Sequence, residues 1–197
     1  MKKISQVWLL TKEEIVSVLK LRNSVPGPPK EFSKTKRSGN IRRCCRFNSL
    51  SGDRLQYGSS TAHCNLFSVD RKIKLLGVCC FGSENNTYSI ELKVGELGSG
   101  RGLIHEHKIG QFSSGLLQGR KFNYFGFKVL LDNEPVLLRK NTKYCLAANI
   151  TGPDSTCGDN GDSTVTCSGV TFTFLNIRND NGTTTQRGQF AEILFSL

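Results

Sequence analysis

The stretch LFSVDRKIKLL, residues 66–76, decides the fold class of this chain. Two short apolar runs, 66–69 and 73–76, are separated by the three charged residues Asp70, Arg71 and Lys72. Short apolar runs of this kind are typical of β-strands, and a charged break of three residues predicts a tight turn between two of them. The stretch therefore predicts two successive strands rather than a helix.

Further runs of the same kind follow at short spacing, and clusters of Gly, Asn and Asp separate most of them, as expected for turns. Because parallel strands need long crossover connections, many short strands without long helices between them predict antiparallel pairing. We therefore predict an all-β fold, an antiparallel β-sandwich of about ten to twelve short strands. The further predicted strands lie at 87–94, 103–109, 124–131, 135–138, 143–150, 170–176 and 191–196.

The length and composition agree with one globular domain. The chain has 197 residues, enough to bury a hydrophobic core without disulfides or metals. Hydrophobic residues make up 37% of it, which excludes disorder of the whole chain. The longest apolar run, residues 75–81, is far shorter than the roughly 18 residues of a membrane span, so no membrane span is expected.

The net charge of +11 raises the question of nucleic-acid binding. Residues 1–43 carry eleven Lys and Arg against three acidic residues, so most of the excess positive charge belongs to this segment. A basic cluster of this kind is most often a solvated linker. No nucleic-acid partner is therefore expected for the folded part of the chain.

Residues 1–43 are predicted to form a basic leader, and residues 44–197 the folded domain. Thr11 and Glu14 match a capping box, which predicts the start of a short amphipathic helix at 12–22. The proline-rich stretch that follows ends this helix and predicts a linker over residues 26–42.

Eight cysteines and three N-glycosylation motifs require a secreted protein to be considered. The apolar stretch 7–10 is too short for the core of a signal peptide. The doublets Cys44-Cys45 and Cys79-Cys80 would point their side chains to opposite faces of a strand. Buried free thiols in a reducing compartment are the favoured interpretation, and a secreted carbohydrate-binding β-sandwich is the alternative from another class.

The sequence offers no convincing catalytic or metal-binding pattern. It lacks the Cys-x-x-Cys pairs that zinc sites of the RING type use. His105 and His107 would lie on one face of a strand, but a third metal ligand is missing. Asp154, Asp159 and Asp162 could ligate calcium, although turn formation is the favoured interpretation. We expect no catalytic residue, no metal and no cofactor in this chain.

Two polar, Gly-rich loops form the candidate site, because loops at the end of a rigid sandwich are the usual place for recognition. If the strands before them, 143–150 and 170–176, run in the same direction, the loops share one end of the sandwich. We expect their glycines to need positive φ and their polar side chains, Asp154, Ser155, Asn181 and Gln189, to hydrogen-bond a partner. The alternative is that these side chains only cap their own turns. The predicted partner-binding residues are Gly152, Pro153, Asp154, Ser155, Asn181, Gly182, Gly188 and Gln189.

A series of short motifs along residues 44–197 points to a known family. In chain order these motifs are Arg46-Phe47-Asn48, Phe67-Ser68-Val69-Asp70, Phe81-Gly82-Ser83, Pro135-Val136, Gly152-Pro153-Asp154-Ser155, Phe172-Thr173-Phe174, and Asn181-Gly182-Thr183 followed by Gly188-Gln189. Together they resemble the PHR domain, and the last motif is the most specific. The resemblance implies an antiparallel β-sandwich that binds proteins, with catalysis in other domains of the parent protein.

PHR domains occur in giant Highwire-type E3 ubiquitin ligases and in BTB-domain adaptors of ubiquitin ligases. Departures from the family pattern at 78–81 and 189–192 favour the ligase type. The resemblance thus implies a non-catalytic recognition domain of a large intracellular ligase that acts in neuronal development. The alternative is the substrate-recruiting C-terminal domain of a BTB adaptor. The expected partner is a protein, the isolated domain is expected to be monomeric, and the expected compartment is the cytoplasm or nucleus.

Overall fold

The structure is a computed structural model that describes residues 40–57, 62–97, 103–131, 135–176 and 183–197. The chain divides into two units, Met1–Arg37 and Ser38–Leu197. The predicted helix at 12–22 lies outside the described residues. The division into a leader at 1–43 and a domain at 44–197 therefore stays a prediction.

The described residues form strands and turns, and none of their segments is a helix long and apolar enough to cross a membrane. Fourteen strands are present in this part of the chain. They are β1 Arg42–Cys44, β2 Ser49–Leu50, β3 His63–Val69, β4 Ile73–Phe81, β5 Thr87–Leu97, β6 Leu103–Ser113, β7 Gly115–Gln118, β8 Asn123–Leu130, β9 Val136–Leu138, β10 Lys143–Thr151, β11 Gly158–Asp159, β12 Thr164–Cys167, β13 Val170–Leu175 and β14 Phe190–Ser196.

Most of these strands belong to two antiparallel sheets. Sheet I has the order β1-β14-β4-β8-β7, with β9 also paired to β4. Sheet II has the order β12-β13-β3-β10-β5-β6, and β11 pairs with β2 in a small separate ribbon. The prediction of an all-β antiparallel sandwich is confirmed. The strands beyond the predicted number are short pieces such as β2 and β11, which lack a readable apolar pattern.

The turn at 70–72 joins the two sheets. β3 lies in sheet II and β4 in sheet I, so the two strands of the stretch 66–76 belong to different sheets and do not form a hairpin. Residues of β3 alternate between buried and half-buried, as a strand with one face on the core requires. Asp70 accepts a hydrogen bond of 2.9 Å from the backbone N–H of Thr171, which fixes the turn against sheet II.

The main core lies between the two sheets and is rich in aromatic side chains. Phe172 of sheet II and Phe195 of sheet I are fully buried, and their ring centroids are 5.1 Å apart in an edge-to-face contact. Each buried ring of this kind stabilises the fold by about 1.5–3 kcal/mol through loss of apolar surface from water. The core therefore holds the sheets together without disulfides, and all eight cysteines are free in the structure.

A second apolar cluster lies on the outer face of sheet I. The cysteine doublets show the division, because Cys44 and Cys80 belong to the main core whereas Cys45 and Cys79 belong to this second cluster. The opposite orientation predicted for adjacent cysteines is thus confirmed. The residues between β7 and β8 fold over part of this face, where the backbone N–H of Arg120 donates to Glu192 at 3.0 Å.

Candidate functional site

Strand direction brings the two predicted loops to one end of the sandwich. β3 pairs antiparallel with both β10 and β13, so β10 and β13 run in the same direction and their carboxyl ends lie at the same end of sheet II. We call this end of the sheet, with the loops that leave it, the loop end. The prediction that the two loops share one end required these two strands to run in the same direction, and they do.

The two loops are joined directly through their backbones. The N–H of Gly158 donates to the carbonyl of Gly188 at 3.0 Å, and the N–H of Gly188 donates back to Gly158 at 3.1 Å. A further bond of 2.9 Å runs from the N–H of Gly161 to the carbonyl of Gln186. These reciprocal bonds make the two loops one unit, although they are some thirty residues apart in sequence.

The glycines of these loops are required by close packing and not by backbone conformation. A Cβ added at Gly158 would lie 2.1 Å from Cδ2 of Phe47, and one at Gly161 would lie 2.2 Å from the carbonyl oxygen of Thr185. A Cβ added at Gly152 would lie 2.4 Å from Cδ1 of Tyr88. None of the described loop glycines has positive φ. The expectation of positive φ was therefore wrong for these glycines. Glycine is needed at these positions because neighbouring side chains and carbonyls occupy the space that a Cβ would fill.

A buried polar network lies directly beneath the joined loops. Ser155 and Gln189 are both 0% exposed. The hydroxyl of Ser155 lies 3.1 Å from the hydroxyl of Tyr57 and 3.3 Å from Oε1 of Gln189. The Tyr57 hydroxyl also lies 2.5 Å from the same Gln189 oxygen and 3.0 Å from the carbonyl of Phe81. Burial raises the pKa of Tyr57, so the phenol stays protonated and the network stays neutral.

This burial changes the role expected for Ser155 and Gln189. Their side chains face the interior and cannot reach a partner in this conformation, so their role here is to support the loops. Their hydrogen bonds to Tyr57 and to each other link separate segments and are not the caps of their own turns that the alternative expected. Partner binding at the loop end stays a prediction.

A buried arginine anchors the second loop. Arg46 is 3% exposed and lies against the rings of Phe47 and Phe174, with its guanidinium carbon 4.6 and 5.1 Å from the ring centroids. It donates to Asn65 Oδ1 at 3.3 Å and to the carbonyl of Thr184 at 3.0 Å. Desolvation lowers its pKa to about 10, so the side chain is still charged at neutral pH. Arg46 thus ties the domain's first residues to the loop before β14.

The exposed rim of the loop end is polar and carries both signs of charge. Lys121 donates to Asn48 at 2.6 Å and lies 3.4 Å from Asp162. On another part of the rim, Arg187 lies 3.3 Å from Asp53 and donates to the sulfur of Cys157 at 3.2 Å. The exposed rim residues of the described chain include Asn48, Leu50, Asp53, Arg54, Pro153, Thr184 and Gln186.

The structure divides the predicted site residues into three groups. Pro153 is exposed and Asp154 is half-buried, so both lie where a partner could touch them. Gly152, Ser155, Gly188 and Gln189 shape or support the loops. Asn181 and Gly182 lie outside the described residues, and their predicted role stays a prediction.

The segment 48–57, which covers the first loop, was not predicted from the sequence. Leu55 and Ser155 exchange two backbone hydrogen bonds, of 2.9 and 3.1 Å, and β2 pairs with β11 beside them. This segment has no apolar periodicity, so only its neighbour Arg46-Phe47-Asn48, as a family motif, signalled the region.

The weaker metal candidates do not come together within the described residues. A β-bulge in the β5–β6 pairing separates the two histidines: His105 lies against Tyr144 and near Glu96, whereas His107 lies 2.9 Å from Glu91. The expected shared face was wrong because the bulge shifts the alternation by one residue. No group of three or more metal-ligating side chains forms in this part of the chain.

Comparison with known proteins identifies the family. The profile of the PHR domain matches residues 45–196, which is most of the chain and the whole of the described sandwich from β2 to β14. The chain belongs to the PHR domain family. The resemblance inferred from the motif series is thereby confirmed, and the loop end described above is a part of a PHR domain.

This PHR domain is similar to parts of much longer proteins. BTB/POZ domain-containing protein 6 of Homo sapiens is 29% identical over 198 residues, which cover 97% of this chain and 35% of that protein. E3 ubiquitin-protein ligase MYCBP2 of Danio rerio is 29% identical over 161 residues, which cover 77% of this chain and 3% of that protein. E3 ubiquitin-protein ligase highwire of Drosophila melanogaster is 30% identical with the same coverage. The chain therefore spans about a third of the BTB/POZ relative and a very small part of the two ligases.

Proposed function

We propose that this chain is a non-catalytic protein-recognition domain of a ubiquitin-ligase subunit and that its partner binds across the loop end. The joining of the two loops through Gly158 and Gly188 is the observation that carries the proposal. It produces a preformed surface, supported from below by Ser155 and Gln189, and a preformed surface loses little conformational entropy on binding. The link with ubiquitin ligases is supported by the two relatives named as E3 ligases.

The coverage of the relatives favours a BTB-type parent protein over the Highwire type that was predicted from the sequence. An alignment over 97% of the chain must include most of residues 1–43, whereas one over 77% can leave that whole segment out. The similarity to the BTB/POZ protein thus extends into the basic leader. We therefore propose a BTB-containing adaptor as the parent protein, in which this domain would bring a substrate protein to the ligase. The neuronal role inferred through the Highwire type stays a prediction.

Affinity capture with matched variants tests the binding face. Arg54→Glu with Gln186→Glu alters two exposed rim positions, and Lys140→Glu makes a charge change of similar kind in the exposed turn between β9 and β10, at the opposite end. We expect the rim variant to lose proteins from a cell lysate that the wild-type chain and Lys140→Glu both retain. All three should unfold at the same temperature, because none of the changed side chains is buried. If the rim variant captures the same proteins as the control, the partner binds elsewhere.

A ubiquitylation assay tests the ligase part of the proposal. A protein captured in a rim-dependent way should become ubiquitylated in cells that express the full-length parent protein, and should not when the parent carries the rim variant. Rim-dependent capture without any change in ubiquitylation would leave a recognition domain but refute the ligase role.

The proposed compartment is the reducing interior of the cell. It is supported by the free cysteines and by the relatives named as ubiquitin ligases. Alkylation under denaturing conditions and peptide mapping of the eight cysteines of this sequence, in the protein purified from its natural source, check this. Eight free thiols exclude the secreted carbohydrate-binding alternative, and four disulfides would exclude the intracellular one.

A further inference from the structure

β6 is the long open edge of the sandwich. It is the last strand of sheet II, and no strand of the described residues pairs with it on the side away from β5. β6 has eleven residues, whereas the other terminal strands of the two sheets, β1, β7 and β12, have three or four. Short edge strands protect a sheet against pairing with other chains, so β6 is the edge that lacks this protection.

The backbone of β6 turns a series of donors and acceptors towards its open side. The N–H of Ser114 donates to the carbonyl of Asn86 at 2.7 Å, so the backbone groups of Ser114 face β5. Because these groups alternate in direction along an antiparallel strand, every second residue of β6 faces away from β5. These outward residues are His107, Ile109, Gln111 and Ser113. The N–H of His107 bonds the carboxylate of its neighbour Glu106 at 3.3 Å, so an acceptor is already held at the open edge.

The two most exposed large apolar side chains of the described residues lie beside this edge. Ile109 is 67% exposed and lies opposite Glu91 on the outer face of sheet II. Leu116 of β7 is 63% exposed, although it pairs with Phe125 and so faces the same side of sheet I as the core residue Phe127. Within the described residues, the sandwich is therefore open between β6 and β7.

Charges of opposite sign follow each other on the inner side of the edge. Glu106 pairs with Val94 and Lys108 with Leu92, and both of these partners are core residues. Phe112 follows on the same side of β6 and is half-buried. An added strand would complement this side with a basic residue opposite Glu106, an acidic residue opposite Lys108 and an apolar residue opposite Phe112.

We propose that β6 is a strand-addition site, where an extended segment of the protein partner pairs antiparallel with residues 106–113. The outward backbone groups supply the hydrogen bonds, and alternate side chains of the segment contact Ile109 on the outer face and Leu116 on the inner side.

The open edge reaches the loop end. Gln111 pairs with Ser89, and Ser89 pairs with Thr151, after which the chain enters the first loop. One partner can therefore contact the loop end and β6 together. The assignment of the segment to that partner rests on the proposed function, whereas the strand-addition site does not.

A second copy of this chain fits the edge less well than a partner segment. Two β6 strands place Glu106 opposite Lys108 only when their pairing is centred on His107, and more than three paired residues then include the β-bulge at 105, which disrupts a ladder. Pairings of residues 106–113 that avoid the bulge place Lys108 opposite Gly110, Phe112 or its own copy. Charge complementarity thus favours a segment of different sequence.

Binding of a synthetic peptide to the 197-residue chain tests the site. The probe, with both ends blocked, is Thr-Leu-Thr-Val-Val-Glu-Thr-Lys, which in antiparallel pairing lies opposite residues 113 to 106. It places Leu opposite Phe112, Glu opposite Lys108 and Lys opposite Glu106. The control peptide exchanges the Glu and the Lys and keeps the composition. We expect the control to bind about tenfold more weakly, because both charge pairs become repulsive.

Amide hydrogen exchange followed by NMR gives a readout that is specific for strand addition. In the free chain, the N–H groups of Ile109, Gln111 and Ser113 should exchange fast and those of residues 108, 110 and 112 slowly. Saturating peptide should slow the first set at least about tenfold and leave the second set unchanged. Slow exchange of the first set in the free chain, or peptide binding without this alternation, overturns the proposal.

Variants of exposed residues test the two kinds of contact. Gln111→Pro removes one outward N–H, which an edge strand tolerates, and Leu116→Gln removes the apolar contact on the inner side. Leu137→Gln, at an exposed leucine of β9, is the matched control. We expect the first two variants to bind the peptide about tenfold more weakly and the control to bind it as the wild-type chain does. If Gln111→Pro fails to fold, Leu116→Gln and the two peptides decide, and equal binding by Leu116→Gln and Leu137→Gln overturns the proposal.

The rim variant, Arg54→Glu with Gln186→Glu, separates this inference from the proposed function. It should bind the peptide as the wild-type chain does, since neither changed residue lies on β6 or β7. Absence of peptide binding to the wild-type chain, with rim-dependent capture intact, overturns strand addition and leaves the proposed function standing. Gln111→Pro that loses the peptide but still captures the rim-dependent proteins overturns the assignment of the segment to that partner.

Discussion

The substitution Gly158→Ala should destabilise the domain more than alanine at any other glycine of the loop end. The new Cβ would lie 2.1, 2.3 and 2.6 Å from three ring carbons of Phe47. Ordinary contact between carbons begins near 3.5 Å, so a movement of more than about 1 Å is needed. Phe47 is 0% exposed and packs on Phe81 with a centroid distance of 6.0 Å, so the ring has no free space to enter.

The backbone of Gly158 is equally unable to move. Its N–H and carbonyl are both bonded to Gly188, and the residue pairs with Leu50 through the β2–β11 ribbon. Overpacking at a site fixed from both sides costs about 3 kcal/mol, the upper part of the usual range. In a domain of this size the loss corresponds to a fall of about 6–12 °C in the thermal midpoint.

Urea denaturation and a thermal melt, followed by circular dichroism, measure this loss. Gly115→Ala is the matched control, because a Cβ there meets no atom within 4 Å. It should change the free energy of unfolding by less than about 0.5 kcal/mol. Phe47→Leu should relieve part of the overlap, so the double variant with Gly158→Ala should lose at least about 1 kcal/mol less than the sum of the single variants. Equal stability of Gly158→Ala and Gly115→Ala would refute the argument that packing, and not backbone conformation, requires this glycine.

Three further predictions concern buried polar groups. Ser155→Ala should lower the free energy of unfolding by about 1–2 kcal/mol in urea denaturation, because it removes a contact of the buried Tyr57 and Gln189 side chains, and an unchanged stability would contradict their supporting role. Glu192→Gln should lower the free energy of unfolding by about 3 kcal/mol or more, because the buried Glu192 carboxylate pairs with Arg43 and accepts a hydrogen bond of 3.0 Å from Tyr124. Glu84 is exposed, so Glu84→Gln should leave the free energy of unfolding unchanged in the same experiment. Burial lowers the pKa of His63, so below its ordinary value near 6.5 the unfolded chain binds a proton that the folded chain does not. Stability should therefore fall as pH drops from about 7 to about 5, and His63→Gln should reduce that slope in urea titrations; an unchanged slope would show that His63 is freely protonated in the fold.

The strands could be predicted from the sequence because a half-buried strand needs apolar residues at every second position. The run 66–69 and the run 143–150 carry this pattern, and both form strands at these places. Very short strands could not be found in this way. Residues 49–50 and 158–159 pair only because the surrounding structure brings their backbones together, and two residues cannot display a period.

The family, too, was determined by the sequence. Motifs such as Arg46-Phe47-Asn48 and Gly188-Gln189 keep their order along the chain, and the structure gives a reason for some of their residues. Arg46 holds the loop before β14, and Gly188 leaves room for that arginine, since a Cβ there would lie 3.0 Å from the guanidinium. Residues that must fit one another closely cannot change independently, which makes a short motif informative even where the overall identity is low.

Tertiary structure alone decided which polar loop residues face the solvent. Ser155 and Pro153 are two positions apart, and from the sequence both are equally plausible as contacts with a partner. In the structure Ser155 is buried and Pro153 is exposed. Alternation along a strand tells which side chains share a face, but it contains no information on what covers a loop. Ser155 is covered by residues near Leu55, about a hundred positions earlier in the chain, and a contact over that separation is set by the arrangement of the two sheets and leaves no local pattern in the sequence.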